Sequence, residues 1–153
     1  MKTDQASNEP RPQVEHLNPP GLHVNPAFSQ VVTVAGPHKT VYVGGQNALN
    51  AQGEIVGRGD LARQTEQALA NLETALAAAG AAMDQIVKWN IYMVQGQSPA
   101  AGFAAFQRLQ VRLANPPAIT VLIVAGLANP EFLVEIEAVA VTPVSGVTAP
   151  PAH

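Results

Sequence analysis

Residues 116–141 read P-P-A-I-T-V-L-I-V-A-G-L-A-N-P-E-F-L-V-E-I-E-A-V-A-V, and this stretch decides the fold. Residues 119–125 are apolar or β-branched throughout, which predicts a strand that is covered on both faces. A turn is expected at residues 126–130, where glycine, asparagine and proline cluster. Residues 132–141 then alternate in polarity, which is typical of a second strand with two different faces.

The second strand carries two carboxylates on one face. Val134, Ile136, Ala138 and Ala140 share one side, and Glu135, Glu137, Val139 and Val141 share the other. Carboxylates on a mostly apolar face are costly unless the face opens onto water, a ligand or another subunit. Glu135 lies nearer the turn and is the candidate catalytic group, because a half-buried carboxylate can handle a proton or a water molecule. For Glu137 the favoured interpretation is an edge-strand or rim position with access to water.

The composition predicts a single domain that associates with copies of itself. The chain has 153 residues, of which 47% are hydrophobic, 5% aromatic and 12% charged. That charged share is about half the usual one, so a domain this small leaves apolar surface that subunit contacts would cover. A net charge of −3 without any run of Lys or Arg argues against a nucleic-acid partner.

Several function classes are unsupported by the motifs. The chain has no cysteine, and its four histidines lie in tails or a turn without a partner at metal-ligand spacing. No phosphate-binding or dinucleotide glycine motif occurs, and no serine has the setting of a hydrolase nucleophile. We therefore expect neither metal nor cofactor. The polar N-terminus and the lack of a long apolar run favour a cytoplasmic protein without a membrane span.

The remaining segments complete the order β-β-α-β-α-β-β. Proline-rich residues 1–26 and 143–153 are interpreted as tails that are disordered or loosely docked, around a domain at 27–142. Strands are expected at 28–34, 40–44 and 86–94, with a short optional one at residues 55–56. One helix should run from the Asp60 cap to Gly80, and another from Ser98 to about residue 113. Two helices on one face of a mixed sheet of five or six strands make an α+β, two-layer fold.

Gly44 and Gly45 end the second predicted strand. Two residues without side chains let backbone amides approach another group closely. A strand end or a β-bulge is the other interpretation of the pair.

The chain resembles the Rid family (reactive intermediate deaminases, also called the YjgF family) over residues 28–141. The matching segments are F-S-Q at 28–30, V-Y-V-G-G-Q at 41–46, G-E-I-V-G at 53–57, the helix at 64–81, I-V-K-W-N-I-Y-M at 86–93, F-A-A-F at 103–106, P-P-A-I-T-V at 116–121 and V-E-I-E-A-V-A-V at 134–141. The resemblance implies a chorismate-mutase-like fold and a homotrimer with small-molecule clefts between subunits. It also implies hydrolysis of 2-imino acids to keto acids and ammonia without a cofactor.

The resemblance also supplies the candidate site. Glu135 matches the water-positioning glutamate of the family. The expected binding residues are Phe28, Gly44, Gly45, Gln46, Gln107, Ile119, Thr120 and Val121. Ile119 stands where the family motif P-A-R-[ST] has the arginine that clamps a substrate carboxylate, a task suited to a guanidinium. Phe28, Gly44 and Gln107 also replace the family's tyrosine, serine and asparagine, so we expect a more apolar cleft.

Three functions follow from this site. The first is hydrolysis, deamination or proton transfer on a small neutral or weakly charged metabolite, by a protein that is not an efficient 2-imino acid deaminase. The second is a non-catalytic trimer that binds a metabolite or protein in a regulatory or chaperone-like role. The third is ordinary imino acid deamination with an arginine from elsewhere, for which the nearby ones are Arg58, Arg108 and Arg112.

Overall fold

The computed structural model of the chain describes residues 11–110 and 115–144, without the side chains of residues 108–110. Its strands are β1 (Gln13–Leu17), β2 (Val31–Ala35), β3 (Lys39–Gln46), β4 (Ile86–Val94), β5 (Ala118–Val124) and β6 (Val134–Thr142). Its helices are α1 (Leu61–Ala78) and α2 (Pro99–Gln110), with a 3-10 turn at Met83–Gln85. No helix in the described ranges has both the length and the hydrophobicity for a membrane crossing.

The strands form two sheets. The main sheet has four strands in the order β3-β6-β4-β5, of which β4 and β5 are parallel and the other pairs antiparallel. Strands β1 and β2 pair as a separate antiparallel ribbon. The predicted α+β class with two helices and a mixed sheet is confirmed. The sheet itself differs from the expected one of five or six strands, because β2 pairs with β1 and does not join the main sheet through a hairpin with β3.

Strand β1 lies inside the segment that the sequence predicts as a tail. The segment Q-V-E-H-L alternates in polarity, but prolines on both sides conceal the pattern. His16 anchors the strand, because its Nδ1 lies 2.9 Å from the carbonyl oxygen of Pro116. The optional strand at residues 55–56 is reduced to an isolated bridge between Leu49 and Ile55. Most of the predicted C-terminal tail, and residue 113 of the second helix, fall outside the described residues.

Helix α1 covers one face of the main sheet, as its pattern predicts. The Asp60 carboxylate accepts a hydrogen bond from the amide of Arg63 at 3.1 Å and caps the first turn. Gly80 adopts a φ of 71° and ends the helix, with Ala81 N bonded to Leu76 O at 2.9 Å. The helix buries a continuous apolar stripe against the sheet. Its members include Leu61, Ala68, Leu69, Leu72 and Leu76.

A β-bulge changes which residues of β4 face the helices. Ile86 pairs with Ala140 while Lys88 pairs with Val139, so β4 has one extra residue at this point. Ile86 is therefore buried with Trp89, Ile91 and Met93, and Val87 is only half-buried. Strict alternation predicts Val87 on that face, because it takes no account of a bulge.

Gln64 is a fully buried polar residue of α1 that holds the loop before β6. Its Nε2 donates to the Glu131 carbonyl at 3.0 Å, and its Oε1 accepts from the Leu133 amide at 2.9 Å. These two bonds hold the loop at residues 131–133 immediately before β6, the strand that carries Glu135.

Replacing Gln64 with leucine is expected to lower the free energy of unfolding by about 2–4 kcal/mol, because two buried backbone groups lose their partners. Urea unfolding monitored by circular dichroism measures this change. Gln52→Leu, in an exposed turn, is the control and should change stability by less than about 0.5 kcal/mol. An equal effect of the two substitutions would contradict the role assigned to Gln64.

Candidate functional site

An apolar cavity of about 790 Å³ lies on the helix-covered side of the main sheet. Its walls are the 25–28 loop, the start of α1, one side of α2 and the strands β4 and β5. The polar side chains on its wall are those of Asn25, Thr65 and Gln107. A cavity of this size with few polar groups suits a small, mainly apolar ligand.

Four of the predicted binding residues line this cavity. They are Phe28, Gln107, Ile119 and Val121. Ile119 and Val121 point into it because they are two apart on β5 and therefore share a face. Sequence reasoning missed Asn25 and Thr65, since Asn25 lies in the predicted tail and Thr65 in the core stripe of α1. We call this wall of the cavity the cavity face; it includes Phe28, Gln107, Ile119, Val121, Asn25 and Thr65.

Glu135 lies on the opposite face of the sheet. It pairs across the sheet with Tyr92, whereas Ile119 pairs with Trp89. Trp89 is fully buried on the helix-covered side, and Tyr92 is three residues further along the same strand, on the other side. A single subunit therefore does not bring Glu135 into contact with Ile119.

Thr120 also belongs to the Glu135 side. It pairs with Asn90 on β4, and its Oγ1 accepts a hydrogen bond from Lys88 Nζ at 2.5 Å. It thus does not line the cavity with its neighbours Ile119 and Val121. We call this open side of the sheet, with Asn90, Tyr92, Thr120 and Glu135, the carboxylate face.

Gly44 and Gly45 form a β-bulge in β3. Val43 pairs with Ala138 and Gln46 with Ile136, so β3 has one residue more than β6 between these pairs. Gln46 donates from its Nε2 to the carbonyl of Gly44 at 3.1 Å, which closes the bulge locally. The bulge interpretation of this pair is therefore the one that the structure favours.

The group that approaches Gly45 closely is the carboxylate of Glu135. A Cβ atom at position 45 would stand 2.0 Å from Glu135 Oε1, whereas one at Gly44 would meet nothing within 4 Å. Asn47 donates from its Nδ2 to Glu135 Oε2 at 3.1 Å. Sequence reasoning missed Asn47, because its partner lies 88 residues further along the chain.

Glu137 occupies a different environment on the carboxylate face. Its Oε1 accepts hydrogen bonds from Asn90 Nδ2 at 2.7 Å and from the Tyr92 hydroxyl at 2.8 Å. The residue is half-buried and its partners come from β4, so its role is to hold β4 and β6 together. The hydrogen bond to Glu137, followed by burial and the charges of Glu137 and Glu135, raises the pKa of Tyr92 above its ordinary value.

The alkaline titration of Tyr92 tests this arrangement. In a Tyr42→Phe variant, which leaves Tyr92 as the one tyrosine, absorbance of tyrosinate should rise with a midpoint above the ordinary pKa of about 10. Glu137→Gln should lower that midpoint, and Glu54→Gln on a distant turn should not change it. Because the folded state holds this proton more tightly, its stabilising effect is present below pH of about 10 and is lost as pH rises through the raised pKa. A midpoint that does not respond to Glu137→Gln would contradict the contact.

Apolar side chains are exposed around the two faces. Val121, Leu122 and Ile123 are 54%, 49% and 58% exposed on β5, which forms one edge of the main sheet. Tyr42 on β3 is 79% exposed. Exposed apolar side chains on an edge strand are the kind of surface that another chain can cover.

The structure offers no donor set for a metal in the part that it describes. Within residues 11–110 and 115–144, no three His, Asp or Glu side chains lie close enough together to bind an ion.

Comparisons with known proteins identify the family. The model of the family described as Endoribonuclease L-PSP matches residues 22–142. Among solved structures, YyfB from Yersinia pestis, titled a protein of unknown function of the conserved Rid family, is 38% identical, with 83% of this chain and 97% of that chain covered and a TM-score of 0.74.

Two Escherichia coli structures are also similar. The YjgF gene product is 29% identical, and TdcF with bound serine is 26% identical. Each comparison covers 67% of this chain and 80% of that chain, with a TM-score of 0.60. No curated protein matches the chain significantly. The chain belongs to the Endoribonuclease L-PSP family, which is the family of the YjgF and Rid proteins.

Proposed function

We propose that this protein is a homotrimer that acts on a small neutral or weakly charged metabolite in a cleft shared by neighbouring subunits, by hydrolysis, deamination or proton transfer. The observation that carries this proposal is the separation of the candidate site into two faces. The cavity face holds four of the predicted binding residues, and the carboxylate face holds Glu135. A cyclic assembly joins two such faces, because each subunit presents one of them to each neighbour.

The exposed apolar edge supports the shared cleft. Val121 lines the cavity and is also half exposed, so the cavity reaches the surface beside the edge of β5. A neighbour that covers this edge would close the cavity and bury the apolar run 121–123. The Glu135 that completes each cleft would then come from that neighbour.

The lining of the cavity supports a substrate without a carboxylate. Ile119 places an aliphatic side chain where the family resemblance assigns an arginine, and Phe28 and Val121 add apolar surface. Transferring an anion to such a wall costs several kcal/mol without a cationic partner, on the order of the penalty for an unpaired buried charge. A neutral ligand of similar shape pays no such penalty.

Hydrolysis of a neutral imine illustrates the chemistry that Glu135 suits. The carboxylate takes a proton from water while the water oxygen adds to the imine carbon, and it then passes this proton to the imine nitrogen. The resulting carbinolamine loses ammonia and leaves a carbonyl compound. Bound water, imine and carboxylate are the components of this reaction, so atoms and charges balance without an oxidant or a further reactant.

A matched pair of substrates tests the proposal. A flavin-dependent amine oxidase converts 2-phenylethylamine to a neutral imine, and a flavin-dependent amino acid oxidase converts phenylalanine to the corresponding imine with a carboxylate. The protein should accelerate ammonia release from the neutral imine more than from the anionic one. Acceleration confined to the anionic imine would contradict the proposal, and so would a monomer at micromolar concentration in light scattering.

A non-catalytic trimer is the second candidate, and the same apolar cavity supports it. A thermal-shift screen over neutral and anionic metabolites distinguishes the two. Ligands that raise the Tm but are never converted favour a binding protein. Ligands that are converted favour an enzyme.

The third candidate, imino acid deamination with an arginine from another segment, has less support. Arg58 is bound to Glu131 on the loop before β6, and Arg112 and the side chain of Arg108 lie outside the described residues. Coupling the protein to serine dehydratase tests this function. Faster keto acid release that survives Ile119→Ala but not the loss of an arginine would establish it.

The family description names an endoribonuclease, but we do not extend that activity to this chain. Its net charge is −3. Two of its lysines already donate to groups of the protein, Lys39 to the Ala79 carbonyl and Lys88 to Thr120, both at 2.5 Å. A protein that holds RNA by its phosphates needs a positive surface instead.

A further inference from the structure

Asn47 makes two contacts with β6 through a single amide group. Its Nδ2 lies 3.1 Å from Glu135 Oε2 and 3.2 Å from the carbonyl oxygen of Val134. The amide nitrogen has two hydrogens, so it can donate to both oxygens at once. The contact therefore ties the Glu135 side chain to the backbone of its own strand and leaves Oε1 to face the bulge.

Gly45 makes room for that second oxygen. A Cβ at this position would lie 2.0 Å from Oε1 and 2.5 Å from Cδ of Glu135, which is closer than any real contact. The carboxylate consequently rests on the bare backbone of Gly45 and is held from the side by Asn47. The bulge stands next to β6 between the pairs Val43–Ala138 and Gln46–Ile136, on either side of the position that Gly45 occupies.

Helix α1 fixes the segment that carries Asn47. Asn71 donates from Nδ2 to the carbonyl oxygens of both Asn47 and Leu49 at 2.8 Å. Gln67 in turn donates to Asn71 Oδ1 at 2.9 Å. Ala48, between the two bonded carbonyls, is fully buried and accepts a hydrogen bond from the Val56 amide at 2.8 Å. The backbone at Asn47 is thus held in place by helix α1.

We infer that Asn47 is a positioning residue for Glu135, and that Gly45 serves the same carboxylate by leaving space for it. This inference rests on the proposed function for its catalytic consequence, whereas its geometric part does not. A carboxylate that receives a proton from bound water must be held to within a fraction of an ångström, because small displacements lower rates strongly. The bulge 44–45 is then part of the support for Glu135.

Crystal structures of three variants test the geometric part. The Glu135 side chain should leave its position beside Gly45 in both Asn47→Leu and Gly45→Ala. Asn47→Leu removes the hydrogen-bond donor, and Gly45→Ala introduces a Cβ that collides with the carboxylate. Gly44→Ala is the matched control for the position of Glu135, because its Cβ meets nothing within 4 Å. Glu135 remaining in place in both test variants would overturn the inference.

Kinetics on the neutral imine test the catalytic part. Asn47→Leu should lower kcat about 10-fold or more with KM unchanged, since the interaction serves the transition state and not binding. Asn47→Asp, which replaces the donor with a repelling charge, should lower it at least as far. Asn50→Leu is the control, because Asn50 lies in the same loop but bonds Glu54 at 2.9 Å and not Glu135. Unchanged kcat in Asn47→Leu, or an equal loss in Asn50→Leu, would overturn the inference.

The crystal structures and the kinetics together distinguish a failure of this inference from a failure of the proposed function. If the wild-type protein converts no neutral imine, the proposed function fails, and the crystal structures alone decide whether Asn47 positions Glu135. If the wild-type protein is active and Glu135 moves in Asn47→Leu without any change in kcat, the positioning role is overturned while the proposed function stands.

Discussion

Glu135→Gln is expected to lower the rate of neutral imine hydrolysis by about 100-fold or more, because the amide cannot take a proton from the attacking water. The substitution preserves the shape of the side chain. Asn47 can still donate to the new amide oxygen, so the Tm and the molar mass in light scattering should stay unchanged. Initial rates of ammonia release at saturating imine measure the effect.

Glu137→Gln is the matched control for this loss. Glu137 lies two residues away on the same face, but its Oε1 already accepts hydrogen bonds from Asn90 and Tyr92. Its replacement should retain most of the activity. Wild-type rates in Glu135→Gln would contradict a catalytic role for this carboxylate, as would equal losses in the two variants.

Ile119→Arg is expected to raise kcat/KM for the anionic imine of phenylalanine by about 10- to 100-fold. A charge-assisted hydrogen bond contributes about 1.5–3 kcal/mol, and about 1.4 kcal/mol corresponds to a factor of ten. The cavity of about 790 Å³ has room for the longer side chain. The same variant should lose activity toward the neutral imine, because a buried cation without a partner is costly.

Ile119→Met controls for the change of shape, since it keeps the side chain apolar at similar volume. It should leave the preference for the neutral imine in place. The effect of each substitution is measured as kcat/KM for the neutral imine of 2-phenylethylamine and for the anionic imine of phenylalanine. A preference that does not shift in Ile119→Arg would show that position 119 does not contact the part of the ligand that carries the carboxylate.

The regular elements of the fold were predictable because their patterns are local. Helix α1 shows a stripe at helical spacing between Asp60 and Gly80, and β6 alternates through Val134, Glu135 and Ile136. The faces of these elements follow directly from their periods. The α+β class was therefore accessible from the sequence.

Features that depend on distant pairing were not predictable in the same way. Strand β1 is hidden by its flanking prolines and exists through its pairing with β2. Because of the bulge in β4, the side chain of Ile86 lies in the core and that of Val87 does not. No local pattern in the sequence signals the extra residue. In both cases the partner strand decides the outcome, and a pattern within one segment contains no information about its partner.

The sequence suggests individual residues of the candidate site but not their arrangement on two faces. The alternation of β5 separates Ile119 and Val121 from Thr120, although the family motif contains both kinds of position. Glu135 was recognised as a carboxylate on an apolar strand face. Asn47, which holds it, has no distinguishing pattern, because its importance arises from a contact across the sheet.

Subunit complementation tests the shared cleft most directly. Glu135→Gln removes the carboxylate, and Gln107→Trp fills the cavity from an exposed position on α2. Each variant alone should be inactive on the neutral imine. When the two are co-expressed and mix freely in rings, about a quarter of the clefts combine an intact cavity with an intact Glu135 from the neighbour, so activity should return to about a quarter of the wild-type value. Mixed rings that remain as inactive as the separate variants would contradict a cleft built from two subunits.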